Sequence, residues 1–323
     1  MKAIVQDKYG SADVLELRDI DKPVLKPNEV LVRVHAAGVD PGVWHLMTGM
    51  PYLIRVMGYG LRAPKDRVRG RALAGRVEAI GESVTQFQPG DEVFGTCEGS
   101  FADYACARED RLAPKPANLT FDQAAAVPIS AQTALQALRD AGQVRPGQKV
   151  LVIGAAGGVG SFAVQLAKAF GAHVTAVCST AKADLVRSIG ADDVIDYTRD
   201  DFAAGPRRYD LILDTAGNRS LSQLRRALTA QGTLVLIGGE GGGPWLGMLS
   251  RFVRTMVVAR FVKQKLRILS STEHRSDLQI LTELIEAGKV TPVLDRKYAL
   301  SEVPEAIRYL ERGHARGKVV ITV

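Results

Sequence analysis

The residues best suited to chemistry lie in the run Val150-Leu151-Val152-Ile153-Gly154-Ala155-Ala156-Gly157-Gly158-Val159-Gly160. A short apolar strand here passes through a glycine loop into a helix. Glycine lets backbone approach a pyrophosphate, and a helix N-terminus adds free amides and the positive end of its dipole. Ala155, Gly157 and Gly160 fall on the three fingerprint positions of a dinucleotide loop, with Ala155 where the first glycine is usual and Gly158 and Val159 between the others. A purely structural strand-to-helix turn is the alternative. A second strand, His173 to Val177, follows at the distance a dinucleotide fold needs, and its end continues Cys178-Ser179-Thr180-Ala181-Lys182. NAD-selective sites place an acid there for the ribose hydroxyls. The hydroxyls of Ser179 and Thr180 and the charge of Lys182 suit a 2′-phosphate instead. The expected cofactor is therefore NADP(H). Ser179 and Thr180 also make good helix caps, and the two roles are compatible.

The elements that must position these residues follow from pattern. Residues 1–120 read as strand-rich: Val30 to Ala36, Ala74 to Gly81 and Glu92 to Phe94 are short segments closed by glycine and proline turns, which suggests a barrel-like β domain. Residues 121–265 alternate apolar strands with helices, the signature of a doubly wound parallel sheet. Asp122 to Leu138 is helical with a break at Pro128. The helix after the loop spans Ser161 to Phe170, and Ala181 to Ser188 is another. Strands are expected at Asp193 to Ile195, Tyr209 to Asp214 and Thr233 to Gly238. From 266 onward the chain has helices at Ser276 to Ala287 and Glu302 to Arg312 and a strand at Lys318 to Val323, pieces that can rejoin the first domain.

Composition sets outer bounds. The chain has 323 residues, 46% hydrophobic and 24% charged, ordinary values for a globular α/β protein. A net charge of +7 favours anionic partners, a phosphorylated cofactor among them. The cysteines are Cys97, Cys106 and Cys178, with no CxxC pair, which argues against a disulfide framework or a cysteine-rich zinc lobe. Zinc-finger spacing and a contiguous basic-aromatic run are both missing, so no nucleic-acid partner is expected. The N-terminal residues show no cleavable apolar leader, and no apolar run reaches membrane-spanning length. The expected compartment is the cytoplasm. One stretch stands apart: Gly238 to Trp245 is glycine-rich, and Arg251, Arg254, Arg260, Lys263, Lys265 and Arg267 then alternate with apolar residues. Such a basic amphipathic segment either packs beside a cleft or subunit interface or touches an anionic surface.

Several motifs together resemble the medium-chain dehydrogenase/reductase superfamily, in its zinc-independent quinone-oxidoreductase-like branch. They are Ala37-Gly38-Val39-Asp40-Pro41, Ala74 through Gly81, Phe87 through Val93, the glycine loop, Gly190-Ala191-Asp192, Asp214-Thr215-Ala216-Gly217 and Gly317-Lys318-Val319-Val320. The resemblance covers almost the whole chain. It implies a GroES-like β-barrel catalytic domain formed by residues 1–120 with 266–323 and a Rossmann domain from 121–265. The active site would lie in the cleft between them, and the assembly would be a homodimer. It also implies cofactor contacts at Thr133 and at the backbone of Leu236, Ile237 and Gly238. Where zinc alcohol dehydrogenases carry a cysteine ligand, this chain has Asp40. Their Gly-His-Glu run corresponds to Gly70-Arg71-Ala72. A guanidinium stays protonated and lacks a suitable lone pair, and catalytic zinc needs about three protein ligands. No metal is expected.

Without zinc, an already electrophilic acceptor fits best. The expected function is NADPH-dependent reduction of quinones or α,β-unsaturated carbonyls by direct hydride transfer. Alternatives are a reductase of another activated aldehyde or ketone, and a catalytically weak NADPH-binding regulatory protein. Asp40, Trp44, His45, Tyr52 and Tyr59 are the candidate substrate-side residues. Related quinone reductases carry Asn at the position of Asp40 and a Tyr near Trp44–His45. Trp44 or Tyr52 can stack on a planar quinone, and His45 or a tyrosine hydroxyl can donate a hydrogen bond. Inter-domain packing is the other role open to these side chains.

Overall fold

The computed structural model of the protein describes residues 1–238 and 249–323. Of the glycine-rich stretch Gly238 to Trp245, all but Gly238 lies outside the described residues. The chain forms two compact units: Met1–Gln132 with Glu273–Gly288 and Pro292–Val323, and Thr133–Thr272 with Lys289–Thr291.

The first unit opens with strands β1 (Lys2–Val5), β2 (Glu16–Asp19) and β3 (Glu29–Val39), then helix α1 (Pro41–Thr48). Strands β4 (Ala72–Ile80), β5 (Glu92–Thr96), β6 (Tyr104–Arg108) and β7 (Leu112–Pro114) follow. Helices α2 (Phe121–Ala125) and α3 (Pro128–Gln136) lead to the second unit. A capping box, Thr120 with Gln123, starts α2, and Pro128 divides it from α3 as the sequence suggests.

The second unit runs β8 (Lys149–Ile153), α4 (Gly158–Ala169), β9 (His173–Cys178), α5 (Ala183–Ser188), β10 (Asp193–Asp196), β11 (Tyr209–Asp214), α6 (Leu221–Ala227) and β12 (Leu228–Leu236). It continues with α7 (Leu249–Ala259) and β13 (Lys265–Ile268). The chain then re-enters the first unit through α8 (Arg275–Glu286), β14 (Leu294–Ala299), α9 (Val303–Glu311) and β15 (Lys318–Thr322).

In the first unit one sheet has the order β14-β15-β3-β4-β5-β7, with β6 also paired to β3. Its inward side chains, among them Val32, Val34, Leu73, Val93 and Leu112, fill one core with Phe101. The chain's last strand lies against β3, with Val320 opposite Gly38. Both chain ends therefore build the barrel.

The second unit is a parallel sheet in the order β10-β9-β8-β11-β12-β13. Its central strands are apolar on both faces because helices cover both, and Val150, Leu151 and Val152 in β8 are fully buried. Strand order reverses between β8 and β11. Ligands bind at such a switch point, beyond the carboxyl ends of the strands, and the glycine loop leaves β8 there. Residues 289–291 join this unit because Gln165 grips the Thr291 backbone at both its N–H (2.8 Å) and its C=O (3.0 Å).

Some elements were not legible. Strand β13, Lys-Leu-Arg-Ile, has two cations in its short run and so does not read as an apolar strand. Helix α6 carried a signal in Ser220 and Gln223, which form a complete capping box. Strand β12 begins at Leu228, five residues before the expected start, and ends at Leu236, two before the expected end. Among the described residues no helix is long and apolar enough to cross a membrane.

Candidate active site

The cofactor cradle lies in the second unit. The left-handed turn falls on Gly154, at φ +79°, and not on Ala155. A Cβ at Gly154 would also stand 2.5 Å from Thr215 Oγ1. Ala155 is buried and in ordinary backbone, so the missing first glycine has no cost. A Cβ at Gly160 would meet Gly154 O at 2.1 Å and Ala155 Cα at 2.8 Å, which fixes glycine where helix and loop pack closest. Gly157 caps α4 and has no side chain to satisfy the first-turn amides of Gly158, Val159 and Gly160. Those donors and the helix dipole suit a diphosphate, so the residues present fit a dinucleotide.

At the end of β9, Ser179 and Lys182 flank a single turn, with Lys182 N–H donating to Ser179 O at 2.9 Å. Thr180 differs from expectation. Its hydroxyl donates to Asp196, the last residue of the neighbouring strand β10. The Asp196 carboxylate also accepts from Thr198 Oγ1 (2.7 Å) and Thr198 N–H (2.9 Å), and Arg199 lies 3.7 Å away. The Thr180 hydroxyl, followed by the two Thr198 donors, pulls the Asp196 carboxyl down to about 2. The sequence showed no acid following the second strand; the fold supplies one from the third.

Thr133 is buried and donates from Oγ1 to Ser271 Oγ at 3.2 Å. Leu236 is buried in β12, and its carbonyl accepts from Leu269 N–H at 2.9 Å. The Ile237 and Gly238 amides both donate to Asp214 O, at 3.0 and 3.3 Å. Gly238 has no room for a Cβ, which would stand 2.5 Å from Thr215 O. The Asp214 side chain is fully buried. It accepts from Gly217 N–H at 2.9 Å and pairs with Arg251, so that member of the basic segment is turned inward. Beyond it, Val253, Met256, Val257 and Phe261 are exposed.

In the first unit the β3/β4 pairing sets Gly38 opposite Ala72, bringing Asp40 and Arg71 to one end of the ladder. Asp40 is 3% exposed and does not face solvent as a free acid. Although it is the N-cap of α1, its side chain does not cap the helix. It pairs instead with Lys318, itself 3% exposed, and accepts from Ser130 Oγ at 3.0 Å. Lys318 Nζ also donates to Ser130 Oγ (3.1 Å) and Val39 O (3.2 Å). Arg71 pairs with Glu273, which accepts from Thr96 Oγ1 at 2.9 Å and lies 3.3 Å from Arg111. Both positions aligned with zinc ligands are thus committed to protein ion pairs. Among the described residues no group of three or more His, Cys, Asp or Glu side chains could hold a metal.

Helix α1 presents Trp44 and His45, both half-buried, with rings edge to face at 5.0 Å. His45 Nδ1 bonds Met50 O at 2.8 Å, so the neutral ring donates there and leaves Nε2 as an acceptor. Arg55, unnoticed in the sequence, holds this region together. It donates to the Gly49 and Thr48 carbonyls at 3.0 and 3.2 Å and lies over the Tyr9 and Tyr52 rings at 4.3 and 4.7 Å. The Tyr9 hydroxyl donates to Tyr59 O (2.9 Å) and Gly60 O (2.7 Å). Tyr59 is exposed on one side and on the other lines a small hollow with Val43, Leu46, Arg69 and Glu98. Burial raises the Glu98 carboxyl above its usual range. Leu53, Val56, Met57 and Leu61 are also exposed, giving the loop an apolar rim.

A Rossmann unit with a candidate dinucleotide cradle, and a GroES-like unit whose two positions aligned with zinc ligands are held in ion pairs, are the frame of a two-domain nucleotide-dependent oxidoreductase. Comparison with known proteins places it further. Residues 26–117 match the alcohol dehydrogenase GroES-like domain, and residues 189–321 match the zinc-binding dehydrogenase family. The mouse mitochondrial NAD(P)H oxidoreductase RTN4IP1 is 34% identical over 100% of this chain and 89% of its own length. The tomato 2-methylene-furan-3-one reductase and the Arabidopsis thaliana chloroplastic NADPH-dependent alkenal/one oxidoreductase are each 35% identical over 99% of this chain and 79% of their own. The quinone oxidoreductase of Coxiella burnetii superposes with a TM-score of 0.88 at 31% identity, over 100% of this chain and 99% of its own. A mycobacterial protein complexed with NADPH does so at 0.85 and 26%, over the full length of both chains. This chain belongs to the medium-chain dehydrogenase/reductase family, in its zinc-independent quinone-oxidoreductase-like branch.

One expectation is corrected. The cytoplasmic assignment is overturned by the relatives, since the mouse, zebrafish, bovine and human RTN4IP1 proteins are mitochondrial. The lack of an apolar leader and of a membrane-length run suggested the cytoplasm, but neither feature distinguishes the cytoplasm from the interior of an organelle.

Proposed function

We propose that the chain is an NADPH-dependent reductase of quinones or α,β-unsaturated carbonyls that works without zinc. The observation that carries this is the pairing of a diphosphate cradle shaped by Gly154 and Gly160 with zinc-ligand positions occupied by Asp40–Lys318 and Arg71–Glu273. The same reading is supported by one relative named as an NADPH-dependent alkenal/one oxidoreductase, one similar structure complexed with NADPH, and others named as a furanone reductase and a quinone oxidoreductase.

In this reading the amides of Gly158, Val159 and Gly160 hold the diphosphate. Ser179 and Lys182 take the 2′-phosphate, and Thr133 with the backbone at Leu236, Ile237 and Gly238 positions the nicotinamide. When bound, the reduced nicotinamide supplies a hydride to an acceptor carbon that is electrophilic without metal assistance. Trp44 and Tyr52 offer ring faces to a planar acceptor, and the exposed rim of Leu53, Val56, Met57 and Leu61 suits an apolar one. The Tyr59 hydroxyl is the donor available to the acceptor oxygen; His45 Nε2 presents a lone pair in the neutral ring and donates there only when the ring is protonated. Asp40 serves as the buried anchor of α1 and Lys318 rather than as a substrate contact. A homodimer is the assembly we assign, to be checked by light scattering.

The test is isotopic. With NADPH deuterated at C4 on the transferred face and a cyclic enone as acceptor, deuterium is expected at the β-carbon of the saturated product. A saturated product without deuterium at the β-carbon, which takes label there only from D2O in a parallel run with unlabelled NADPH, would overturn direct hydride transfer.

A further inference from the structure

Asp196 is an acid beside the expected 2′-phosphate site, and the proposed NADPH preference does not account for it. Thr180 stands two residues beyond β9, where dinucleotide folds reach the adenosine ribose. A hydroxyl has one proton and two acceptor sites. The Thr180 proton is given to Asp196, and the Thr198 hydroxyl 3.4 Å away gives its own proton to the same carboxylate, so the Thr180 oxygen keeps a lone pair for an approaching donor. A ribose 2′-hydroxyl can donate to that oxygen and complete a chain from ribose through Thr180 to the carboxylate. A 2′-phosphate finds no donor in Thr180 and meets the Asp196 charge as a repulsion. Ser179 and Lys182 pull the other way. Asp196 is also well held: Thr198 supplies two donors, and Arg199 lies 3.7 Å off. Its position next to Thr180 follows from the β9/β10 ladder, which sets Asp196 opposite Cys178.

We propose that Asp196, acting through Thr180, admits NAD(H) to this site alongside NADP(H) and sets how weakly the chain discriminates between them. The proposal rests on the nucleotide reading of the cradle given above.

Titration calorimetry of the full chain with NAD+ and with NADP+, without acceptor, tests it. The wild type is expected to bind both. Asp196→Asn removes the charge and weakens the acceptor, so NAD+ binding should weaken about tenfold while NADP+ binding holds or tightens. Thr180→Val keeps the carboxylate and removes the relay. It should weaken NAD+ about tenfold and change NADP+ by less than about threefold, since one hydrogen bond to a charged chain is at stake. If Asp196 only braces the turn, Asp196→Asn will instead weaken NADP+ at least as much as NAD+, and the proposal is wrong. A wild type that binds NADP+ but not NAD+ also overturns it, while leaving the cradle intact. Binding of neither nucleotide removes the cradle reading and this inference together.

Discussion

Asp40 turns its carboxylate away from the helix it precedes and toward Lys318, and one oxygen, Oδ2, has no partner. The pair is buried on both sides, so removing one member leaves an uncompensated charge in the core. Lys318→Met is expected to cost about 3–5 kcal/mol, read from urea unfolding. Adding Asp40→Asn should recover part of that loss, because the neutral amide no longer needs a cation. Two of the three thiols make a second residue-scale prediction. Burial pushes Cys97 well above the ordinary thiol range and Cys106 up to about 11. The thiolate is the reactive form. Near neutral pH the folded protein should therefore label slowly with a maleimide at Cys97 and Cys106, and quickly only after unfolding. Fast labelling of Cys97 in the native state would contradict its place in the core. At this scale the sequence was half legible. Arg71 could be dismissed as a ligand from its chemistry alone. The Asp40–Lys318 pair could not be seen, because its members lie 278 residues apart and meet only when β15 docks on β3.

The glycine loop was the most legible element, since glycine types report local backbone needs directly. Reading it by fingerprint position put weight on Ala155; the conformation puts it on Gly154, one residue earlier. Gly160→Ala should be destructive. Its methyl would be driven against the Gly154 carbonyl, costing about 1–3 kcal/mol in stability and shifting α4 away from the diphosphate. Calorimetry should show nucleotide affinity falling further than that of a Gly147→Ala control, where a Cβ meets nothing although the backbone is left-handed. The contact joining the ends of β9 and β10 also sets a pH dependence. The Asp196 carboxyl is lowered from the ordinary 3.8 to about 2, so its stabilising bonds are fully present above 3.8 and lost as pH falls through 2. Between those values the thermal midpoint of the wild type should fall with acid more steeply than that of Asp196→Asn. Equal slopes would mean that the hydroxyl contacts hold nothing. This acid escaped notice because it belongs to the third strand, sixteen residues from Thr180, and only strand pairing makes them neighbours.

Across the whole molecule, alternation and turn chemistry disclosed the two fold types, and the order of strands in the sheet then followed the usual logic of doubly wound folds. Short or charged strands such as β13 were hidden because tertiary pairing, not their own pattern, makes them strands. The compartment was misread because the lack of an apolar leader and of a membrane-length run does not fix it. The net charge of +7 fits an anionic cofactor, and higher salt is expected to weaken its binding. Residues 189–321 match a family described as zinc-binding, while Asp40 and Arg71, at the positions aligned with zinc ligands, are held in ion pairs with Lys318 and Glu273. The most direct measurement follows NADPH oxidation by EDTA-treated, metal-free enzyme with 9,10-phenanthrenequinone, with the uncatalysed rate subtracted. Full enzyme-dependent turnover, unchanged when zinc is added back, is the predicted result. Turnover that is lost on metal removal and restored by zinc would mean that a bound metal takes part in the reaction.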